Sequence, residues 1–201
     1  MKTLRPFLII GFLVGLLLLA LFRPWQGAPP LHPEATAFGE VRPGVPLTAG
    51  LRSYASETQI REQLPELVVV NRILRSATAE HPARNLLTLE QRDYEHLGVR
   101  GRLTLDFFNN RLMEVTFYPE SAAEYAPALA AAESGLRRGP TGRRELVAGH
   151  RRVVSNVEQL TTDGGQFLGS TPFTLWQDRR LRAELDDWDR RFGHLAPPTT
   201  P

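Results

Sequence analysis

The chain has 201 residues, no cysteine, and 24 lysines and arginines against 22 aspartates and glutamates, for a net charge of +2 and an isoelectric point near 9.4. The absence of cysteine excludes disulfides, thiolate metal sites, cysteine nucleophiles and a lipid-anchor cysteine. Lys2 is the only lysine, so phosphate-loop, Schiff-base and Ser-x-x-Lys chemistries have no residue to run on. The basic balance argues against nucleic acid as a partner, because Lys2, Arg5 and Arg23 lie in the first 23 positions with no acid among them, and the rest of the chain is slightly acidic.

In chain order, residues 7–22 are sixteen positions without a polar side chain. A helix of that length spans roughly 24 Å, short of a hydrocarbon core of about 30 Å but workable with Arg5 and Arg23 snorkelling and Trp25 at the interface. No small-x-small cleavage site follows, which favours an uncleaved anchor over a signal peptide. Lys2 and Arg5 hold the N-terminus in the cytoplasm and send the remainder outward, into the periplasm of a bacterium. Gly11 and Gly15 form a G-x-x-x-G that would let two such helices approach and dimerise. Residues 26–46 are proline-rich and read as a spacer, 47–194 as one extracytoplasmic domain, and 195–201 as a disordered tail.

Within the domain, Ser56 followed by Gln59 is a capping box opening a helix near 56–64. Val68, Val69 and Val70 read as strand, with a helix to Leu74 as the alternative, and 85–90 as another strand. The strongest signal is the two-residue alternation over 103–107 and 113–117. An odd loop of three or five residues is expected, since a three-residue loop would pair Phe107 with Met113, Leu105 with Val115 and Leu103 with Phe117, keeping all six on one face. Ser121 and Glu124 open an alanine-rich helix to about Ser134, and 135–144 reads as a loop by its glycines and Pro140. Strands are expected at 150–157 and 173–176, with a turn at 163–165. Leu181, Leu185, Trp188 and Phe192 form one stripe of a last helix. Segment 103–112 faintly echoes 173–181, better explained by a repeated strand-to-turn solution than by duplication.

Candidate sites are few. Arg137, Arg138, Arg143, Arg144, Arg151 and Arg152 crowd a short segment and could clasp phosphates, acidic headgroups or an acidic protein surface, or be ordinary solvated arginines. Phe108, Leu112 and Tyr118 would share the outer face of the hairpin, under a covering helix or a partner. His96 beside Asp93 and Glu95 lacks a second histidine at ligand spacing, so these read as ordinary surface strand residues and no metal or cofactor is expected. Ser170 lacks the G-x-S-x-G elbow, and no catalytic motif is found.

The segment Ser56-Glu-Thr-Gln-Ile-Arg-Glu-Gln-Leu-Pro65, and the 103–117 strand pair with its Asn-x-Arg-Leu turn, resemble small bacterial envelope domains similar to the outer-membrane barrel-assembly lipoprotein. That resemblance implies a noncatalytic envelope domain that binds another protein. The expectation is therefore an α+β protein of the bacterial inner membrane. It has a single transmembrane helix, then an antiparallel sheet holding the 103–117 hairpin with helices on one face. It acts as an interaction or scaffold protein, with an anion-binding module built on the six arginines as the alternative and a hydrolase third. Its partners are the bilayer, through 7–22, and another envelope protein.

Overall fold

The structure, a computed structural model, describes residues 32–48, 50–139, 141–162 and 171–195. The apolar run with Gly11 and Gly15, the turn at 163–165, Ser170 and the tail from 196 lie outside the described residues. The elements are α1 (Glu57–Gln63), β1 (Val68–Arg75), β2 (Arg84–His96), β3 (Val99–Phe108), β4 (Arg111–Pro119), α2 (Ala122–Ala132), β5 (Arg137–Arg138), β6 (Arg144–Ala148), β7 (Arg151–Ser155), α3 (Val157–Thr162), β8 (Thr174–Asp178) and α4 (Arg179–Phe192). Among the described residues the strands form a single eight-stranded sheet in the order β1-β2-β3-β4-β8-β7-β6-β5, antiparallel throughout.

Two apolar layers hold it. On one face Leu89, Leu103, Leu105, Val115, Phe117, Val153 and Trp176 pack under Ile60 of α1, Tyr125 and Leu129 of α2, and Val157 of α3. On the other, Phe108 and Met113 meet Phe38 and the α4 stripe of Leu181, Leu185, Trp188 and Phe192. Each such side chain contributes roughly 1.5–3 kcal/mol on burial. The helix starts follow local chemistry. Ser56 accepts from the Gln59 amide at 3.3 Å while its own amide donates to Gln59 Oε1 at 2.9 Å. Asp178, fully buried, caps α4 by accepting from the Arg180 amide at 2.9 Å. Burial alone would raise the Asp178 pKa, but the hydrogen bonds from Arg180 and Ser53 outweigh it and leave the carboxyl below its ordinary value.

The central hairpin corrects the expected loop. Leu103 faces Phe117 and Leu105 faces Val115 as the alternation requires, but Phe107 pairs with Leu112, across a two-residue turn at Asn109 and Asn110. A bulge at Met113 absorbs the extra residue, and both asparagines take positive φ, 47° and 59°, as a tight twisted hairpin demands. The bulge lets both faces be apolar at this end: Phe107 and Leu112 enter one layer, Phe108 and Met113 the other.

Two larger expectations also change. Helices cover both faces, because Phe108, Met113 and Leu86 present an apolar surface to α4 opposite the α1–α3 layer. The single-pass inner-membrane reading, with its cytoplasmic N-terminus and periplasmic domain, is overturned by the helices of the structure: among the described residues none is long and apolar enough to cross a membrane. The longest, α4, has 14 residues and a charged outer face. From His32 the expected spacer is packed onto the domain, with Phe38 buried and Glu34 paired with Arg191 at 2.6 Å. The echoing segments occupy unlike places, β3 with its turn and β8 running into α4.

Candidate functional site

Strand β1 is the first edge of the sheet, and its outer side pairs with no strand among the described residues. Seven of its eight residues are exposed, and Val68, Val69, Val70, Ile73 and Leu74 are each between 44 and 67% accessible. The inner side is firmly set. β1 runs along β2 from Val68 opposite Glu90 to Arg75 opposite Arg84, with a register shift between Val69 and Asn71. Arg61 of α1 donates to the Leu67 carbonyl at 2.8 Å. Arg72 reaches back to the Glu57 carboxylate at 3.1 and 3.2 Å. At the far end Arg75 donates to the Leu195 carbonyl at 2.6 Å and lies over the Trp188 ring. The strand thus offers a row of backbone donors and acceptors flanked by exposed apolar side chains, with Asn71 and Arg72 between them. The opposite edge differs: β5 is two residues long and both are arginine, the usual way an edge is kept from pairing.

The six arginines do not converge. Arg151 is bound to Glu133 and donates to the Leu47 carbonyl at 2.9 Å, and Glu133 also accepts from Trp176 Nε1 at 3.0 Å. Arg152 pairs with Glu145 at 2.7 Å, in a groove toward α4. Arg143 lies 5.6 Å from the Phe173 ring centre. Arg144 forks onto Glu158, and that hydrogen bond holds the Glu158 carboxyl below its ordinary pKa, with the charge of Arg138 adding to it. Among the described residues Arg137 donates to the carbonyls of Ser134 and Leu136. Phe108 and Leu112 are fully buried in opposite layers, while half-exposed Tyr118 stacks under Arg102 at 4.3 Å, so the three share no patch.

His96, read as a surface position, is buried. Its Nδ1 lies 2.7 Å from the Tyr125 hydroxyl and its Nε2 2.8 Å from that of Thr48, and its ring packs against Phe117, Tyr125 and Trp176. Burial pushes its pKa down to about 4, opposed by the charge of Glu133, so it is neutral at pH 7 and hydrogen-bonded to hydroxyls. A cavity of about 370 Å³ lies over it, between Thr48, Leu97 and Ala132. Among the described residues no three histidines, aspartates or glutamates gather as metal ligands.

A second cavity of about 420 Å³ opens between α2 and α3, with apolar walls from Ala126, Pro127, Leu129, Leu136 and Val157 and with Arg137 among its lining residues. The sequence reading missed both this cleft and the exposure of β1. A continuous apolar run such as Val68-Val69-Val70 looks the same in a buried central strand and in an exposed edge, and only the strand order separates them.

Comparison with protein-family models, with curated proteins and with solved structures finds no significant match for this chain.

Proposed function

We propose that the chain is a noncatalytic protein-binding domain that takes an extended segment of another protein onto β1. The contrast between the two sheet edges carries this reading. One is blunted by length and charge, whereas the other is eight residues long and, with a register shift after Val69, carries exposed apolar side chains on both faces. Long apolar edges are a liability that proteins manage when they are not used, and strand addition is a recurrent mode of peptide recognition. Main-chain bonds would supply affinity, and the partner segment would need apolar residues at alternate positions to cover Val69 and Leu74 on one face and Val68 and Ile73 on the other. Proline at a ladder position would exclude a segment.

The test is a photo-crosslinking residue placed at Val70 in the full chain in its native cells, with one at Arg138 as the control. The expected result is one partner captured at position 70, not at 138, through an extended segment, and lost when Val69 and Ile73 are both changed to lysine. No adduct above the control, adducts insensitive to the lysines, or adducts only between copies of the chain would overturn the reading.

A further inference from the structure

We infer that the cleft between α2 and α3 is a binding site for a single-chain amphiphile with an anionic headgroup, such as a medium-length fatty acid. This is independent of the β1 edge, which lies at the other end of the strand order. The volume of about 420 Å³ falls within the range of roughly 300–1,000 Å³ in which proteins hold small ligands. One side suits an alkyl chain, with Ala126, Pro127, Leu129, Leu136 and Val157 apolar and Ser134 and Ser155 the uncharged polar residues of the lining.

Charge selects the headgroup. Four charged side chains line the cleft: Glu133, Arg137, Arg144 and Glu158. Glu133 is already neutralised by Arg151, and Glu158 by Arg144. Among the described residues Arg137 pairs with no carboxylate and donates to two carbonyls through one nitrogen, Nη1. Its remaining N–H groups are therefore the site's uncompensated positive charge, and a guanidinium fork matches a carboxylate in two parallel hydrogen bonds. A cationic amphiphile would meet this charge with repulsion, and a neutral one would leave it without a partner.

The test is calorimetric titration of the purified full chain with decanoate below its micelle concentration. Decyltrimethylammonium and decanol serve as headgroup controls, and vesicles of an anionic phospholipid separate a free acid from a membrane lipid as the source. Saturable one-to-one binding of decanoate is expected, with little or none for the other two. Arg137→Glu, at an exposed position, should weaken it by about tenfold or more. Ala126→Trp should fill the slot and abolish binding, and the exposed Ala130→Leu provides a second filling variant should Ala126→Trp melt early. Equal binding of the cationic amphiphile, an unchanged affinity in Arg137→Glu, unchanged affinity in a folded filling variant, or binding to vesicles without binding to decanoate would each overturn the assignment.

Discussion

Arg111 on β4 and Glu184 on α4 form a two-pronged ion pair, with Nη2 donating to Oε1 at 2.6 Å and Nη1 to Oε2 at 3.2 Å. The other three N–H groups of this 2%-exposed guanidinium donate to the carbonyls of Phe38, Glu40 and Phe108. All five donors are used, and one side chain ties the 32–42 segment, the hairpin and α4 together. Removing it strands a carboxylate and three carbonyls in a place with little water. Arg111→Met should cost about 3–5 kcal/mol in urea unfolding. Arg111→Met combined with Glu184→Leu should recover part of that loss, since the orphaned charge is then gone. A single-variant cost under about 1 kcal/mol would show that the network contributes little.

His96 makes the fold sensitive to acid. Its folded pKa is about 4, against an ordinary value near 6.5, because burial disfavours the imidazolium. Below about pH 6.5 the unfolded chain takes up a proton that the folded chain refuses. Stability from this group is therefore full above pH 6.5 and falls as the pH drops toward 4, by about 3 kcal/mol in all. The groups around the ring are the hydroxyls of Thr48 and Tyr125 and the Glu133–Arg151 pair. Between pH 7 and 5, His96→Gln should show a flatter dependence of unfolding free energy than the parent chain, whatever its stability at pH 7. Parallel curves would remove His96 as the cause.

The turn residues Asn109 and Asn110 separate two effects that share one backbone geometry. Asn109 Nδ2 donates to the carbonyls of Phe38 and Ala83 at 2.7 and 3.0 Å, and its Oδ1 accepts from the Asn85 amide at 2.8 Å. Among the described residues Asn110 accepts from the Glu57 amide alone, at 3.0 Å in an exposed position. Glycine preserves the positive φ at either site, so backbone strain cancels from the comparison. Asn109→Gly should cost about 2 kcal/mol or more, through three lost bonds in partly buried surroundings, and Asn110→Gly less than about 1 kcal/mol. Equal costs would mean that the side-chain bonds of Asn109 are not what fixes the turn.

That hairpin also shows how far the sequence could be read. Alternation identified the strands and two of the three cross-strand pairs, because period two is imposed by the pleat. It could not reveal the bulge at Met113, because Met113 is apolar and alternation alone assigns it to the same layer as Phe107, whereas it packs in the second apolar layer, under α4. The α4 stripe was legible, but not which side of the sheet it would cover. The short strands β5 and β6 were hidden among glycines and arginines, and β6 joins the sheet through a two-residue hairpin into β7. Similarly, six clustered arginines suggested one binding loop, but alternation along β7 sends Arg151 and Arg152 to opposite faces, and Glu133, Glu145 and Glu158 come from elements that spacing alone could not bring near.

The β1 edge predicts a behaviour of the isolated chain. With no partner strand present, Val68, Val69, Val70, Ile73 and Leu74 remain in water beside an open row of backbone groups, and such an edge promotes association between copies. Val69→Lys together with Ile73→Lys places a charge on each face of the strand without entering either core layer. Exposed substitutions of this kind change stability by about 0.5 kcal/mol each at most, so the melting temperature should hold. Light scattering on a concentration series should show the parent chain growing in mass and the double variant remaining at the single-chain value. If both scatter alike, the apolar edge is not the adhesive surface, and the case for strand addition at β1 weakens with it.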